Sequence, residues 1–359
     1  MLIFLAVLSV LILIHEFGHF IVARRLGIRV ERFSLGFGPK LFGIKGKETE
    51  YVICAVPIGG YVKMAGDSRQ TVRGEKDEFL SRPVGQRASI VIMGPIFNYI
   101  LSFFCFWAVF FIGFPVLTSK VGSLIENMPA KEAGVKVGDR IISVDATATS
   151  YWEDVATIIH EKKEGEIVNL KIERDNKQID MRIAPEFKKT KNLLGEEVTV
   201  AIIGIAPSEE AVEVRYGLLE SLKLGATRLI DITSLTFQAL GRMVIGGLSL
   251  RESVTGPLGI FFATTRASKY GLTALLHLVA VLGVSLGVFN ILPVPLLDGG
   301  HLFFLAIERI RKKPLSLKLE ELLNKISMSF LLLLVLVVFY NDLIRYRIFE
   351  KILKFFSSL

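Results

Sequence analysis

Four stretches of the chain carry almost uninterrupted apolar side chains, each close to the about 20 helical residues needed to cross a hydrocarbon core at ~1.5 Å rise per residue. They run from Met1 to Ala23, Ala88 to Phe114, Leu272 to Leu297 and Ile326 to Ile344. The fourth has the shortest unbroken apolar core and begins beside Lys325, whose ammonium can snorkel to the interface. Elsewhere the periodicity changes. Tyr51 to Val56 and Gly60 to Met64 read as short strands separated by Pro57 and glycines. Arg140 to Val144 alternates after Gly138-Asp139, as a turn into a half-buried strand does. Tyr151 to Glu161 suits a helix, and Ile167 to Ile172 with Gln178 to Ile183 suits a hairpin around Asp175-Asn176. From about Tyr216 to Gly246 helical spacing returns, interspersed with Glu220, Lys223, Arg228, Asp231 and Arg242. That pattern fits an amphipathic helix on a membrane surface, or equally a linker helix packed on the spans.

These stretches set the class: with 51% hydrophobic residues, the chain reads as a polytopic α-helical membrane protein with four spans, a β-containing loop after the first span and one inserted α/β domain. An N-terminal apolar run is often a removable signal peptide. This one has no basic residues after Met1 and carries His15, Glu16 and His19 where a signal peptide has hydrocarbon side chains, so it is expected to remain as a span. The net charge of +8 is not gathered on a soluble domain, which argues against a nucleic-acid partner. It lies in loops. Arg24 to Arg87 holds 13 basic against 7 acidic residues and Gly299 to Lys325 holds 6 against 3, so both are expected on the cytoplasmic side. The segment from Pro115 to Gly271, with 20 against 21, is then the extracytoplasmic part. The tail after Tyr340 opposes this mildly, and the two loops outvote it. The expected division is an N-terminal membrane part over 1–114 with a cytoplasmic β-containing loop at 24–87, an extracytoplasmic domain over 115–210, a surface helix and linker over 211–271, and a second membrane part over 272–359.

The first span contains His15-Glu16-Phe17-Gly18-His19. On a helix the two histidines stand one turn apart on one face, roughly 5–6 Å between Cβ atoms, which suits two imidazoles on one Zn²⁺. Glu16 is placed to act on water beside the metal rather than to bind it. An acidic residue at mid-membrane costs about 2.5–3.5 kcal/mol on insertion scales, so a His, Glu and His cluster in a span is expensive unless a metal or wet cavity offsets it. Cys54 and Cys105 form neither a disulfide framework nor a cysteine metal site, which leaves His and carboxylates as ligands. The best third ligand is Asp298, after a stretch in which Pro293 and Pro295 break the third span. Asn290 suits either a hydrogen bond to substrate backbone or developing oxyanion, or an interhelical contact. His277 reads as a packing residue, His160 as surface, and His301 as a group supporting the ligands from behind.

Together, HExxH in the first span, a proline-broken N-x-x-P-x-P-x-L-D-G-G in a later one and a PDZ-like domain between them resemble the site-2 protease family of intramembrane zinc metalloproteases, within it the bacterial regulator of sigma-E protease group. The resemblance implies His15, His19 and Asp298 as zinc ligands, Glu16 as catalytic base and Asn290 as a substrate-stabilising residue. Gly36-Phe37-Gly38-Pro39 and Val56 to Met64, with Gly59 and Gly60, are similar to the family's membrane-associated β-segments. From sequence, such an edge could pair with an unwound substrate or merely cover the site. Gly94-Pro95-Ile96-Phe97-Asn98 also resembles a family motif; close helix packing is expected of it, and no chemistry. The middle domain is similar to a circularly permuted bacterial PDZ domain with Val121 to Pro129 near its groove, although Asp145-Ala146 stands where a glycine is common.

The resemblance further implies a bacterial inner-membrane enzyme with its site near the cytoplasmic side. Its implied substrates are membrane proteins with a transmembrane segment, such as anti-sigma factors or signal-peptide remnants. Two roles stay open for the PDZ-like domain: capture of a substrate terminus, or exclusion of bulky substrates. The rival from another class is a non-catalytic membrane scaffold displaying that domain, which would gain nothing from Glu16. A metal transporter would need acidic or His residues along several spans, and only one cluster is present.

Overall fold

A computed structural model describes residues 1–192, 194–249 and 253–347. They fall into two compact units. One is formed by Met1–Val109, Leu218–Leu240 and the described residues of Leu250–Leu359, the other by Phe110–Gly217 and Gly241–Ser249.

The first unit begins with α1 (Leu2–Arg25), which carries Arg24 and Arg25 in its last turn, where cations complement the helix dipole and sit at an interface. Strands β1 (Val30–Lys45) and β2 (Glu50–Met64) follow. Two separate short runs were expected within β2; the structure makes one long strand with bulges. Ser34 lies opposite both Tyr61 and Val52, and Leu35 opposite both Gly60 and Ile53, so the first half of β1 lies between the two halves of β2. Next comes α2 (Val84–Ile112), which keeps Pro95 in its interior.

The second unit opens with β3 (Phe114–Leu117), β4 (Val121–Leu124) and the single turn α3 (Pro129–Glu132). It continues through β5 (Arg140–Val144), β6 (Thr147–Ala148), α4 (Trp152–His160), β7 (Val168–Arg174) and β8 (Lys177–Ile183). A hairpin, β9 (Glu186–Lys191) with β10 (Glu197–Ile202), then leads to β11 (Ile205–Pro207) and β12 (Ala211–Val214). Four strands form an antiparallel sheet in the order β6-β5-β7-β8, and β11 pairs with β4. Along β7 the period is two: Val168, Leu170 and Ile172 are buried, and they share a core with Ile141, Val144 and the α4 residues Val155 and Ile159. Asp154 caps α4 by accepting the backbone N–H groups of Ser150 and Tyr151. This is the expected PDZ-like α/β domain, extended at its end because β12 pairs with β3 and so lies in this unit rather than in the linker expected from 211 onward.

The turn that lacks a glycine forms nonetheless. Asp145 and Ala146 have φ of 49° and 66°, the conformation of a two-residue hairpin, as do Asp175 and Asn176 at 51° and 61°. Asp145 accepts the Asn169 backbone N–H at 2.9 Å and pairs with Lys162 at 2.9 Å. Burial would raise its carboxyl, but the Asn169 and Lys162 contacts hold it below its ordinary value. Ala146 has no such compensation, and a Cβ in the left-handed region costs about 1–2 kcal/mol. Ala146→Gly is therefore expected to stabilise this unit by about 0.5–1 kcal/mol after the unfolded-chain entropy of glycine is deducted. Denaturant titration of the protein, followed by the fluorescence of Trp152 on α4, checks it.

α5 (Leu218–Val244), which belongs to the first unit as far as Leu240, covers the amphipathic stretch, and α6 (Pro257–Lys269), in the first unit, is a helix that the sequence pattern had left as linker. Asp342 holds its start, accepting the Gly259 N–H at 2.9 Å. The third span, α7 (Leu272–Ile291), stops short of Leu297 because Pro293 and Pro295 follow. Val294 to Leu297 form a turn closed by Leu297 N–H to Val294 O, with Pro295 second and Leu296 at φ 79° third, the dihedral pattern of a type II turn. Asp298 opens α8 (Asp298–Arg311). The last span, α9 (Leu317–Arg345), starts nine residues earlier than its apolar core because Ser316 caps it by accepting the Leu319 N–H. Among the described residues, α1, α2, α7 and α9 are the helices long and apolar enough to cross a membrane. On α9, Phe330, Leu332, Leu333, Val335 and Leu336 remain exposed, as lipid-facing residues are.

Candidate metal centre

The site is built from helices that close approach brings together. Gly18 of α1 faces α2: a Cβ there would meet Met93 O at 2.3 Å. Opposite it, a Cβ on Gly94 would meet His19 Nε2 at 2.4 Å and His15 Cε1 at 2.8 Å. Any side chain at either position would push the helices apart. This close crossing lets α2 support both imidazoles directly. His19 Nδ1 donates to Ile90 O at 2.9 Å, which leaves its Nε2 lone pair free. His15 Nδ1 lies 3.2 Å from the Asn98 amide. Asn98 is fully buried, and its Oδ1 has no partner in the amide orientation shown. Turning the amide over places that oxygen against His15 Nδ1–H, satisfies it and frees His15 Nε2 as well.

The two Nε2 atoms lie 3.3 Å apart, and Asp298 Oδ2 lies 3.1 Å from that of His15 and 3.5 Å from that of His19. Asp298 Oδ2 is buried without a geometrically acceptable hydrogen bond. Two imidazole lone pairs and a carboxylate oxygen turned towards one another repel unless a cation lies among them. Zinc bonds of about 2.0–2.1 Å at tetrahedral angles hold neighbouring ligand atoms about 3.3–3.4 Å apart, so this donor set fits the ion in both chemistry and spacing. Among the described residues these three are the cluster able to hold a metal.

A cavity of about 520 Å³ opens onto these three side chains. Glu16, Asn290, Gly59, Gly60 and His301 line it too. A Cβ on Gly60 would meet Glu16 Cγ at 3.2 Å and Ile12 Cγ2 at 3.0 Å, so β2 runs as close to α1 as glycine allows. Gly36, Phe37 and Gly38 are not part of the lining. They lie on β1, where Phe37 stacks on Tyr61 at 6.1 Å and remains exposed. Of the other histidines, His277 packs edge-on against Phe106 at 5.5 Å and His160 is exposed. Asn98, expected only to pack, and the Ile90 carbonyl are the groups whose contacts with the imidazoles sequence reasoning missed. The polar Asn98 in an apolar run, four residues past Gly94, was the available signal for the first; a backbone carbonyl leaves none.

The glycines after Asp298 have a local reason. A Cβ on Gly299 would meet Ile291 O at 2.1 Å, and one on Gly300 would meet Val294 O at 2.3 Å. The proline-broken turn folds back onto α8, and only glycines leave it room.

Comparison with known proteins places this geometry in a family context. A family model described as Peptidase family M50 matches residues 3–334. A protein of Rhizobium meliloti (strain 1021) named "putative zinc metalloprotease" is 35% identical over 357 residues, covering 95% of each chain. The regulator of sigma-W protease RasP of Bacillus subtilis (strain 168) is 30% identical over 423 residues, covering 95% of this chain and 97% of its own. Among solved structures, the PDZ domain of an SdrC-like protein from Listeria innocua is 26% identical, covers 26% of this chain and 96% of its own, and has a TM-score of 0.21.

Proposed function

The chain belongs to Peptidase family M50, and from that premise we propose that it is an intramembrane endopeptidase that cuts peptide bonds within or beside transmembrane segments of other proteins. The coarser statement stands on its own: it is a membrane-spanning zinc metalloprotease. One observation carries the finer one. The ligand atoms of His15, His19 and Asp298 converge within a cavity that Glu16 shares, and two of them project from a helix apolar enough to span the bilayer.

Zinc held by His15, His19 and Asp298 would supply Lewis-acid polarisation and bring the pKa of water down to about 7. Glu16 accepts the proton of the attacking water and returns it to the amine nitrogen as the C–N bond breaks. Asn290 donates its amide N–H to the substrate backbone or to the oxygen on which charge develops. A peptide bond inside a helix is shielded by its own hydrogen bonds, so the substrate is unwound first. Tyr61, Val62 and Met64 line the cavity, and among the described residues the strands β1 and β2 pair only with each other. The outer edge of Gly60 to Met64 offers backbone groups to an extended chain. The glycines at 36 and 38, with Phe37, act on substrate only through the shape they impose on that strand pair.

The basic excess in Arg24 to Arg87 and Gly299 to Lys325 supports a cytoplasmic position for both loops in a bacterial inner membrane, with the PDZ-like domain outside. His19 lies five residues before Arg24, about 8 Å along α1, which supports a metal position near the cytoplasmic side in that topology. The PDZ-like domain binds an extended peptide or a substrate terminus, with Val121 to Pro129 at the groove. Single-span proteins already shortened outside, such as anti-sigma factors or signal-peptide remnants, are the substrates this arrangement suits.

Metal analysis tests the reading. The purified protein is expected to hold one zinc per chain. Stripping it with a chelator stops cleavage of a single-span substrate, and adding zinc back restores it. Cleavage that persists in metal-free protein would refute the reading.

A further inference from the structure

The metal ligands come from two elements far apart in sequence, α1 and α8, and a single face of α2 touches both. Arg87, Val91, Gly94 and Asn98 recur at intervals of four, three and four residues and therefore share that face. Gly94 packs on both imidazoles, Asn98 on His15, and the Ile90 carbonyl one position aside holds His19. At the N-terminal end of α2 the face carries Arg87, 7% exposed. Arg87 makes a two-pronged ion pair with Glu308: Nη1 donates to Oε2 at 3.2 Å and Nη2 to Oε1, while Nε donates to Arg82 O at 3.0 Å. Glu308 is on α8, and Asp298, His301, Leu305 and Glu308, three, four and three residues apart, share one face of it.

Nothing else described for α8 ties it to α2 by charge. The turn at 291–297 packs on Gly299 and Gly300, which fixes the start of α8 against the end of α7 but not against α1 or α2. A carboxylate lies about 5–6 Å from a helix axis, so a rotation of α8 of about 20° would carry Asp298 about 2 Å away from the imidazoles. A bidentate contact on the same face resists that rotation, because a guanidinium and a carboxylate hold one mutual orientation where a single contact would swivel.

We propose that Arg87 and Glu308 are a positioning pair for the metal: their ion pair fixes α8 against α2 and thereby sets where the Asp298 carboxylate meets His15 and His19. The inference rests on the reading of those three residues as zinc ligands. Neither Arg87 nor Glu308 touches the metal or the substrate.

Competition titration with a chromophoric zinc chelator tests it, on full-length protein in detergent, with thermal unfolding of the metal-stripped protein measured alongside. Glu308→Gln is expected to weaken zinc binding by about 10–100-fold, the loss that follows removal of a group supporting a ligand. Arg87→Gln is expected to do the same, and the double variant to be no worse than either single one, since both remove one device. Arg87→Lys keeps the charge but not the fork, and recovers only part of the affinity. Zinc affinity within about twofold of wild type in Glu308→Gln, with only the melting temperature lowered, would overturn the proposal. So would losses that add in the double variant. Should Glu308→Gln not fold, Arg87→Lys carries the same measurement; failure of both to fold would assign the pair to the fold alone and also overturn it. Wild-type protein that binds no zinc, or Asp298→Ala protein that keeps it, would instead mark failure of the ligand reading.

Discussion

Replacing Glu16 with glutamine is expected to leave zinc content and melting temperature unchanged while proteolysis falls by about 10²–10⁴-fold, the usual contribution of general acid–base catalysis. Glutamine has the same shape, so the close approach of Gly60 to the Glu16 side chain is preserved. Glu16 is not one of the three residues whose donor atoms converge, so the proposed ligand set of His15, His19 and Asp298 stays intact. What disappears is the Glu16 carboxylate, which could take a proton from water and give it up again; the glutamine amide cannot. The measurement is a paired one: metal stoichiometry and cleavage on the same preparation. Loss of zinc together with activity would make Glu16 a ligand, and full activity in Glu16→Gln would remove it from the chemistry.

Gly94→Ala carries the second large effect. The added methyl would sit 2.4 Å from His19 Nε2 and 2.8 Å from His15 Cε1, well inside van der Waals contact. Both rings are backed by α2 itself, through Ile90 O and Asn98, so they cannot swing aside without breaking those contacts. Either the imidazoles leave their places or the helices separate at the crossing where Gly18 meets Met93 O. Overpacking of this kind costs about 1–3 kcal/mol in stability. The effect on the metal is larger, because displacing a ligand exceeds the about 10–100-fold that loss of a supporting group costs. Chelator competition should therefore show zinc affinity down by more than about 100-fold, with a modest fall in melting temperature. Unaltered affinity would mean that the crossing is looser than the distances state.

The two predictions separate what residue patterns convey from what they do not. The spans were legible because length and apolarity alone define them, although their ends were set by other things: Pro293 shortened the third and the Ser316 cap lengthened the fourth. Helix α6 was missed because Pro257 to Lys269 is short and mixed in character, and its start is held by Asp342, 83 residues away. The pairing of His15 and His19 on one helix face followed from helical spacing, and Asp298 as their candidate partner from its place after the proline-broken end of the third span; the structure brings the three together. Asn98 was visible yet assigned to packing, since its contact with His15 crosses 83 residues and no local pattern reports it. The Arg87–Glu308 pair spans 221 residues, and each member alone looks like an ordinary loop or helix charge.

The central claim is that bonds are cut at membrane depth by the site on α1 and α8. Mass spectrometry of the products of a labelled single-span protein, co-reconstituted with the enzyme in liposomes, tests this most directly. The expected result is one principal cut within the apolar segment or at its cytoplasmic edge, seen with wild type and absent with Glu16→Gln. Cuts confined to soluble loops of the substrate, or cuts in the apolar segment that persist with Glu16→Gln, would contradict it.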